Sequence, residues 1–393
     1  MTELMDLGAD EKPSRRKRKS KKGGPIIALI VLALVIVCAS IGLLLYNQKS
    51  DKAAGQSKKT PKTASAKTET AEETQPPAQP ASILTGLPVT EEQRNTRPIA
   101  LMIENTKVTQ PQYGTAKAAV IYEAPAEGGI TRLMGVFEDY SGLERFGNVR
   151  SCRPYFVQMA AEYNAVYVHF GQSIQGQEEL DKGYVDELNG LSGIGGTVFY
   201  RTQDRKAPHN AYTSTNGLLA GMQAKNFATT YKADEHTHFQ FASADQPSVP
   251  AGDDCAAVQL YFYDNKPYFV YDAASGQYNR FEFGSPQIDA AANNAQLTAT
   301  NIILQFTPSS YYDNEHYRMK VDLIGSGSGK FLTRGKIIDI TWKKDSETGI
   351  THYYDGNGSE IVLNPGRTWI SIVEQNAEAK NTYYKTIDEF NNR

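Results

Sequence analysis

The stretch GNVRSCRPYF, Gly147 to Phe156, sets Arg150 and Arg153 three residues apart, the second directly before a proline. A helix-like run, PYFVQMAAEY, follows. Proline is favoured at a helix's first position because its missing N–H costs nothing there. Both arginines therefore belong at or just before a helix N-terminus, where the backbone is already electropositive. Cations in that place need anionic partners: carboxylates from elsewhere in the chain, or an anion from outside it. Upstream, VIYEAPAEGGITR supplies Glu123, Glu127 and Arg132. Downstream, VHFGQS supplies His169 and Ser173, and RTQDRKAPHNAY supplies Arg205, His209 and Asn210. Two carboxylates four residues apart across a turn can serve as acid and base, with His169 or His209 as proton shuttle. The arginines can clamp a phosphate or a carboxylate bidentately. The competing reading is structural, with Glu123 and Glu127 neutralising Arg132, Arg150 and Arg153.

Other motifs are weaker. GSGSGKF, residues 325–331, looks like a phosphate-binding loop but has Ile324 where the pattern needs glycine and Phe331 where it needs Ser or Thr. It reads as a hairpin turn. His236 and His238 alternate in HTH without a cysteine or carboxylate cluster at ligand spacing, so they read as a surface linker and no metal is expected. Ser151 and Cys152 lack the setting of a nucleophile elbow. Cys152 and Cys255 allow one bridge by arithmetic, which is no disulfide framework. No cofactor is implied.

These side chains need elements to hold them. RPIALMIEN (97–105), AAVIYEA (118–124), GITRLMGVFED (129–139), AVYVHFG (165–171) and TVFYR (197–201) read as strands. PYFVQMAAEY (154–163) reads as a helix with Phe156, Val157, Ala160 and Ala161 inward, and STNGLLAGMQAKN (214–226) as another. Helices among strands imply a layered, mixed α/β N-terminal domain over 83–241. After a turn-rich break, 255–375 is almost all strand, spaced as in a sandwich or barrel, and 376–393 reads as a C-terminal tail. The fold class is α/β: a mixed layered domain, then a mostly β domain.

Both follow a membrane anchor. Residues 26–46, IIALIVLALVIVCASIGLLLY, are uncharged and long enough for a helix across a bilayer of about 30 Å. SRRKRKSKK lies before them with seven basic residues, which keeps 1–24 cytoplasmic, makes 25–46 one transmembrane helix and sends the rest outside. A cleaved signal peptide and a lipid anchor at Cys38 are the alternatives. Residues 47–82 form a polar tether too poor in apolar side chains to fold. Residues 1–82 carry 14 Lys+Arg and 8 Asp+Glu, which leaves 27 basic and 36 acidic residues beyond them, a net of −9. A body that acidic lacks the broad basic footprint of a nucleic-acid binder.

Taken in order, LTGLPV, RPIALMIEN, AAVIYEAPAEGGITRLMGVF, GNVRSCRPYF, YNAVYVHFGQS and RKAPHNAYTS resemble the YerB-like lipoprotein family of bacterial envelope proteins. NIILQF, DLIGSGSGKFL, TWKK and LNPGRTWISIV resemble its C-terminal domain, so the likeness runs from about Leu84 to Val373. The resemblance implies two domains without an established reaction. Arg150, Arg153, Glu123, Glu127, Gly128, Gly129, Arg132, His169, Pro208, His209 and Asn210 fall on its motifs. Two features depart from it. Many members are lipid-anchored, and similar proteins commonly have a small residue at the position of Cys152. Three functions follow as expectations. The first is a binding protein holding an anionic wall or lipid ligand in an Arg/His/Glu-lined cleft of the N-terminal domain. The second is an envelope hydrolase or transferase working by Glu/His acid–base chemistry. The third is a scaffold that docks a partner.

Overall fold

Every residue of Ile99–Asn105 (β1), Val120–Pro125 (β2) and Thr131–Phe137 (β3) is buried. Strands covered on both faces read as unbroken apolar runs, as these do in sequence. Alternation then splits them. Ala100, Met102, Tyr122 and Met134 enter one core cluster, whereas Leu101, Ile103, Ile121 and Leu133 enter another. The two clusters are the two faces of one sheet.

The computed structural model describes residues 79–393 apart from Asn314 and His316 and places them in one compact unit. The basic tail, the expected span at 26–46 and all but the end of the tether lie outside the described residues. Among the described residues no helix is long and apolar enough to cross a membrane.

Further strands join the first three: Val166–His169 (β4), Glu187–Asn189 (β5), Asn301–Thr307 (β6), Gly325–Thr333 (β7), Lys336–Lys344 (β8) and Thr368–Glu374 (β9). The sheet order is Asp253–Asp254, β8, β7, β6, β9, β2, β3, β1, β4, β5, with His352–Tyr354 also on β8. The N-terminal part is mixed α/β and the C-terminal part mostly β, but one sheet passes through both. The seam is the parallel pair β2–β9, in which Val120 meets Thr368. The sandwich-like spacing therefore does not close a separate barrel. A smaller sheet of Ala257–Gln259, Tyr268–Asp272 and Gln277–Glu282 adds Val258, Phe269 and Tyr278 to the second cluster.

Helix α1 (Pro154–Glu162) covers the first face with Tyr155, Phe156, Val157 and Met159, while Ala161 is only half-buried. Each such large apolar side chain contributes about 1.5–3 kcal/mol, so the helix start is held firmly. Before α1 the chain is extended and threaded between the ends of β1 and β4. Arg150 N–H donates to Met102 at 3.1 Å, Cys152 N–H to Gly171 at 2.9 Å, and the Arg150 carbonyl accepts from Phe170 N–H at 2.9 Å.

Several expectations change. GSGSGKF is the start of strand β7, not a turn. A Cβ on Gly329 would lie 2.5 Å from the Leu304 carbonyl oxygen, so the close pairing with β6 excludes a side chain there. The last residues are not a tail, because Thr382–Tyr384 pairs with Ala257–Gln259. His238 is no surface residue. It stacks on Tyr163 at 3.9 Å in the core. Cys152 and Cys255 are both free and buried, and burial pushes each thiol up to about 12. Neither is a ready nucleophile at neutral pH.

Candidate functional site

The candidate residues gather at the end of the sheet where β1 and β2 finish and β3 begins, but they divide between its faces. Glu104 and Arg132 are register partners and share the face of Met102 and Met134. Glu123 lies on the other face with Ile121.

Glu123 is therefore not part of an open site. It is fully buried and accepts from Arg280 Nη2 at 2.7 Å, Asn265 Nδ2 at 2.8 Å and Thr131 Oγ1 at 2.9 Å. Arg280 comes from the C-terminal part, where its guanidinium lies 4.6 Å from the Trp369 ring. Sequence spacing had suggested Arg132 or Arg150 as partners.

Glu127 is held by the arginines expected for it. Arg153, at the N-cap of α1, donates from Nε at 2.9 Å and again from Nη2, and Arg132 Nη2 donates at 3.3 Å. Burial alone would raise this carboxyl. The Arg132 and Arg153 charges and the Arg153 hydrogen bonds outweigh it and hold Glu127 down to about 2. Burial, with Arg153 alongside, pulls Arg132 down to about 10, and its Nη1 donates to the Ser151 carbonyl at 2.8 Å. Glu123 and Glu127 thus sit in separate networks and do not converge as an acid–base pair.

Arg150 and His209 are different. Both approach Glu104, a buried carboxylate that sequence reading passed over. Arg150 Nε lies 3.4 Å from Glu104 Oε1, and His209 Nδ1 lies 2.7 Å from the same atom. The Arg150 side chain is 20% exposed, its Nε is buried without a hydrogen-bond partner, and its guanidinium makes no hydrogen bond among the described residues. The His209 side chain is 33% exposed and its Nε2 likewise has no partner there. The one signal for Glu104 was a charge closing the otherwise apolar IALMIEN.

The other candidates hold structure. His169 is buried, with Nδ1 2.9 Å from the Gly171 carbonyl and Nε2 2.6 Å from Glu187. Ser173 caps Ile174–Leu180 by accepting from Gly176 N–H. Arg205 donates to Asn148 Oδ1 at 2.5 Å and to the Pro111 carbonyl at 2.7 Å. Asn210 bonds Thr202 and Arg201 across its own loop. Grooves of about 640 and 420 Å³ lie elsewhere, one beside Ile337–Asp339 and one between Tyr155 and Tyr312.

Sequence models for the two parts of a family of unknown function, DUF3048, match residues 84–228 with its N-terminal domain and 258–370 with its C-terminal domain. The chain belongs to the DUF3048 family. YerB of Bacillus subtilis (strain 168), whose name marks it as a candidate lipoprotein, is 31% identical over 74% of this chain and 85% of its own. A crystal structure of YerB from Bacillus subtilis superposes with a TM-score of 0.68 at 27% identity, covering 78% of this chain and all of that one. The YerB-like resemblance read from the motifs is thereby established, and so is a two-part fold on the scale of the described unit. The YerB name supports a membrane-associated envelope protein, and DUF3048 members bring no reaction with them.

Proposed function

We propose that this DUF3048 protein is anchored in the cell membrane by residues 26–46, with its folded part outside, and captures an anionic envelope ligand at the Arg150–His209 rim. One observation carries this: the Arg150 guanidinium, buried Nε included, makes no hydrogen bond among the described residues, although Arg132 and Arg153 beside it are engaged. A guanidinium with open donors next to two further arginines is a receptor for phosphate or carboxylate. The thermal stability of residues 79–393 with inorganic phosphate, pyrophosphate, glycerol phosphate and muropeptides tests it. A ligand at 100 times its dissociation constant stabilises by about 2.7 kcal/mol. The shift is expected to vanish in Arg150→Gln, measured against that variant's own ligand-free melting temperature, because the substitution also removes a partner of buried Glu104. No shift from any anion would reject the reading.

The acid–base reading keeps one foothold. Buried Glu104 orients His209 through Nδ1 and leaves Nε2 toward solvent, as an acid–base pair requires. It predicts hydrolysis of an ester or phosphodiester probe with a pH profile that Glu104→Gln displaces. An inert wild-type protein would remove it.

A further inference from the structure

The basic rim continues into exposed apolar side chains. Arg201 lies over the Phe170 ring at 4.6 Å, and that ring covers Gly190, where a Cβ would meet it at 2.2 Å. The next residue, Leu191, is 69% exposed and overhangs Gly171, whose Cβ position lies 3.1 Å from Leu191 Cδ1 and 3.6 Å from Ser151 Oγ. Ser151 adjoins Arg150. Ile174, 63% exposed, opens the helix that follows Ser173. Beyond β1, on the turn Lys107–Thr109, Val108 is 65% exposed beside exposed Lys107. Exposed Lys206 completes the basic loop 201–209. The carboxylates Glu104, Glu127 and Asp204 all have arginine or histidine partners.

We propose that this end of the sheet rests on the anionic surface of a lipid bilayer. Arg150, Arg201 and Lys206 meet lipid phosphates, while Leu191, Ile174 and Val108 enter the headgroup boundary. The proposal rests on the anion reading above and specifies its source. Three apolar side chains on separate segments, set around cations on a body of net −9, match a broad surface that is both anionic and apolar. A small soluble anion gives the apolar residues nothing to cover.

The test is flotation of residues 79–393 with vesicles of phosphatidylcholine, with and without phosphatidylglycerol. That unit has its own cores and matches a crystallised relative over the relative's whole length. Binding is expected for the anionic vesicles alone and is expected to weaken with salt. Leu191→Ser with Ile174→Ser should lower it on the order of tenfold, because buried apolar area sets interfacial affinity. Val249→Ser, exposed elsewhere, should leave it unchanged. The double variant should keep any thermal shift from inorganic phosphate. A phosphate shift without vesicle binding, or equal weakening by Val249→Ser, overturns the bilayer proposal and leaves anion capture standing. Absence of both the shift and vesicle binding overturns both.

Discussion

Arg280 donates to Glu123 across 157 residues of sequence, and neither side chain is reached by solvent. The pair ties the smaller β-sheet of the C-terminal part to strand β2 of the N-terminal part. Removing one partner leaves a buried charge uncompensated. Arg280→Met or Glu123→Gln alone should cost about 3–5 kcal/mol, and the double substitution should recover much of that. Urea unfolding of the singles and the double measures it, and additive losses would show that the two residues are not coupled.

Glu127 supplies acid-sensitive stability. Its folded value, about 2, lies below the ordinary 4.5. Stability from this group is therefore complete above about pH 4.5 and is lost as pH falls toward 2. Melting temperatures across that window should fall less steeply for Glu127→Gln than for the wild type. Parallel curves would remove the Arg132–Glu127–Arg153 network as the cause.

His238 acts in a higher window. Burial, only partly opposed by the His236 carbonyl, holds the ring down to about 3 against an ordinary 6.5. Glu162, 4.0 Å from Nε2, is already taken by Lys344 Nζ at 2.7 Å. Between about pH 6.5 and 3 the unfolded chain binds this proton and the folded one does not, so stability should rise by about 1.4 kcal/mol per pH unit from this group. His238→Phe, which preserves the stack on Tyr163, should flatten that slope in denaturant titrations at several pH values.

Glu282 has the opposite sign. Burial, with the Glu123 charge adding to it and Arg280 opposing, raises it to about 7. Its protonated form is favoured on folding, and that stability is lost as pH rises from about 4.5 through 7. Glu282→Gln should therefore raise the melting temperature relative to wild type at about pH 8 and have little effect at about pH 5. A uniform loss at both would show that the carboxylate is needed as such.

Much of the fold was legible because it is local. Alternation and apolar runs marked β1 to β4, and Pro154 marked the start of α1 with Arg153 at its cap. The shared sheet was not legible. Val120 and Thr368 pair in parallel, and neither segment carries a local sign of the other. Gly327 and Gly329 looked like turn residues, because glycine suits turns and close strand contacts alike. In the site, Arg150, Arg153, Glu127, Arg132 and His209 were picked out by charge near loops. Glu104 was hidden within an apolar strand, and Arg280 lay far along the chain.

By itself the sequence determined the family, the mixed α/β and β-rich halves, the apolar stretch before the folded unit and the charged residues of the candidate site. Those follow from composition, period and motif order, which need no partner in space. Only the tertiary structure decided which charges remain open. Burial and distance decide whether a carboxylate neutralises an arginine, and chain folding alone sets both. It gave Glu123 to Arg280 and Glu127 to Arg153, and left Arg150 and His209 facing solvent over Glu104.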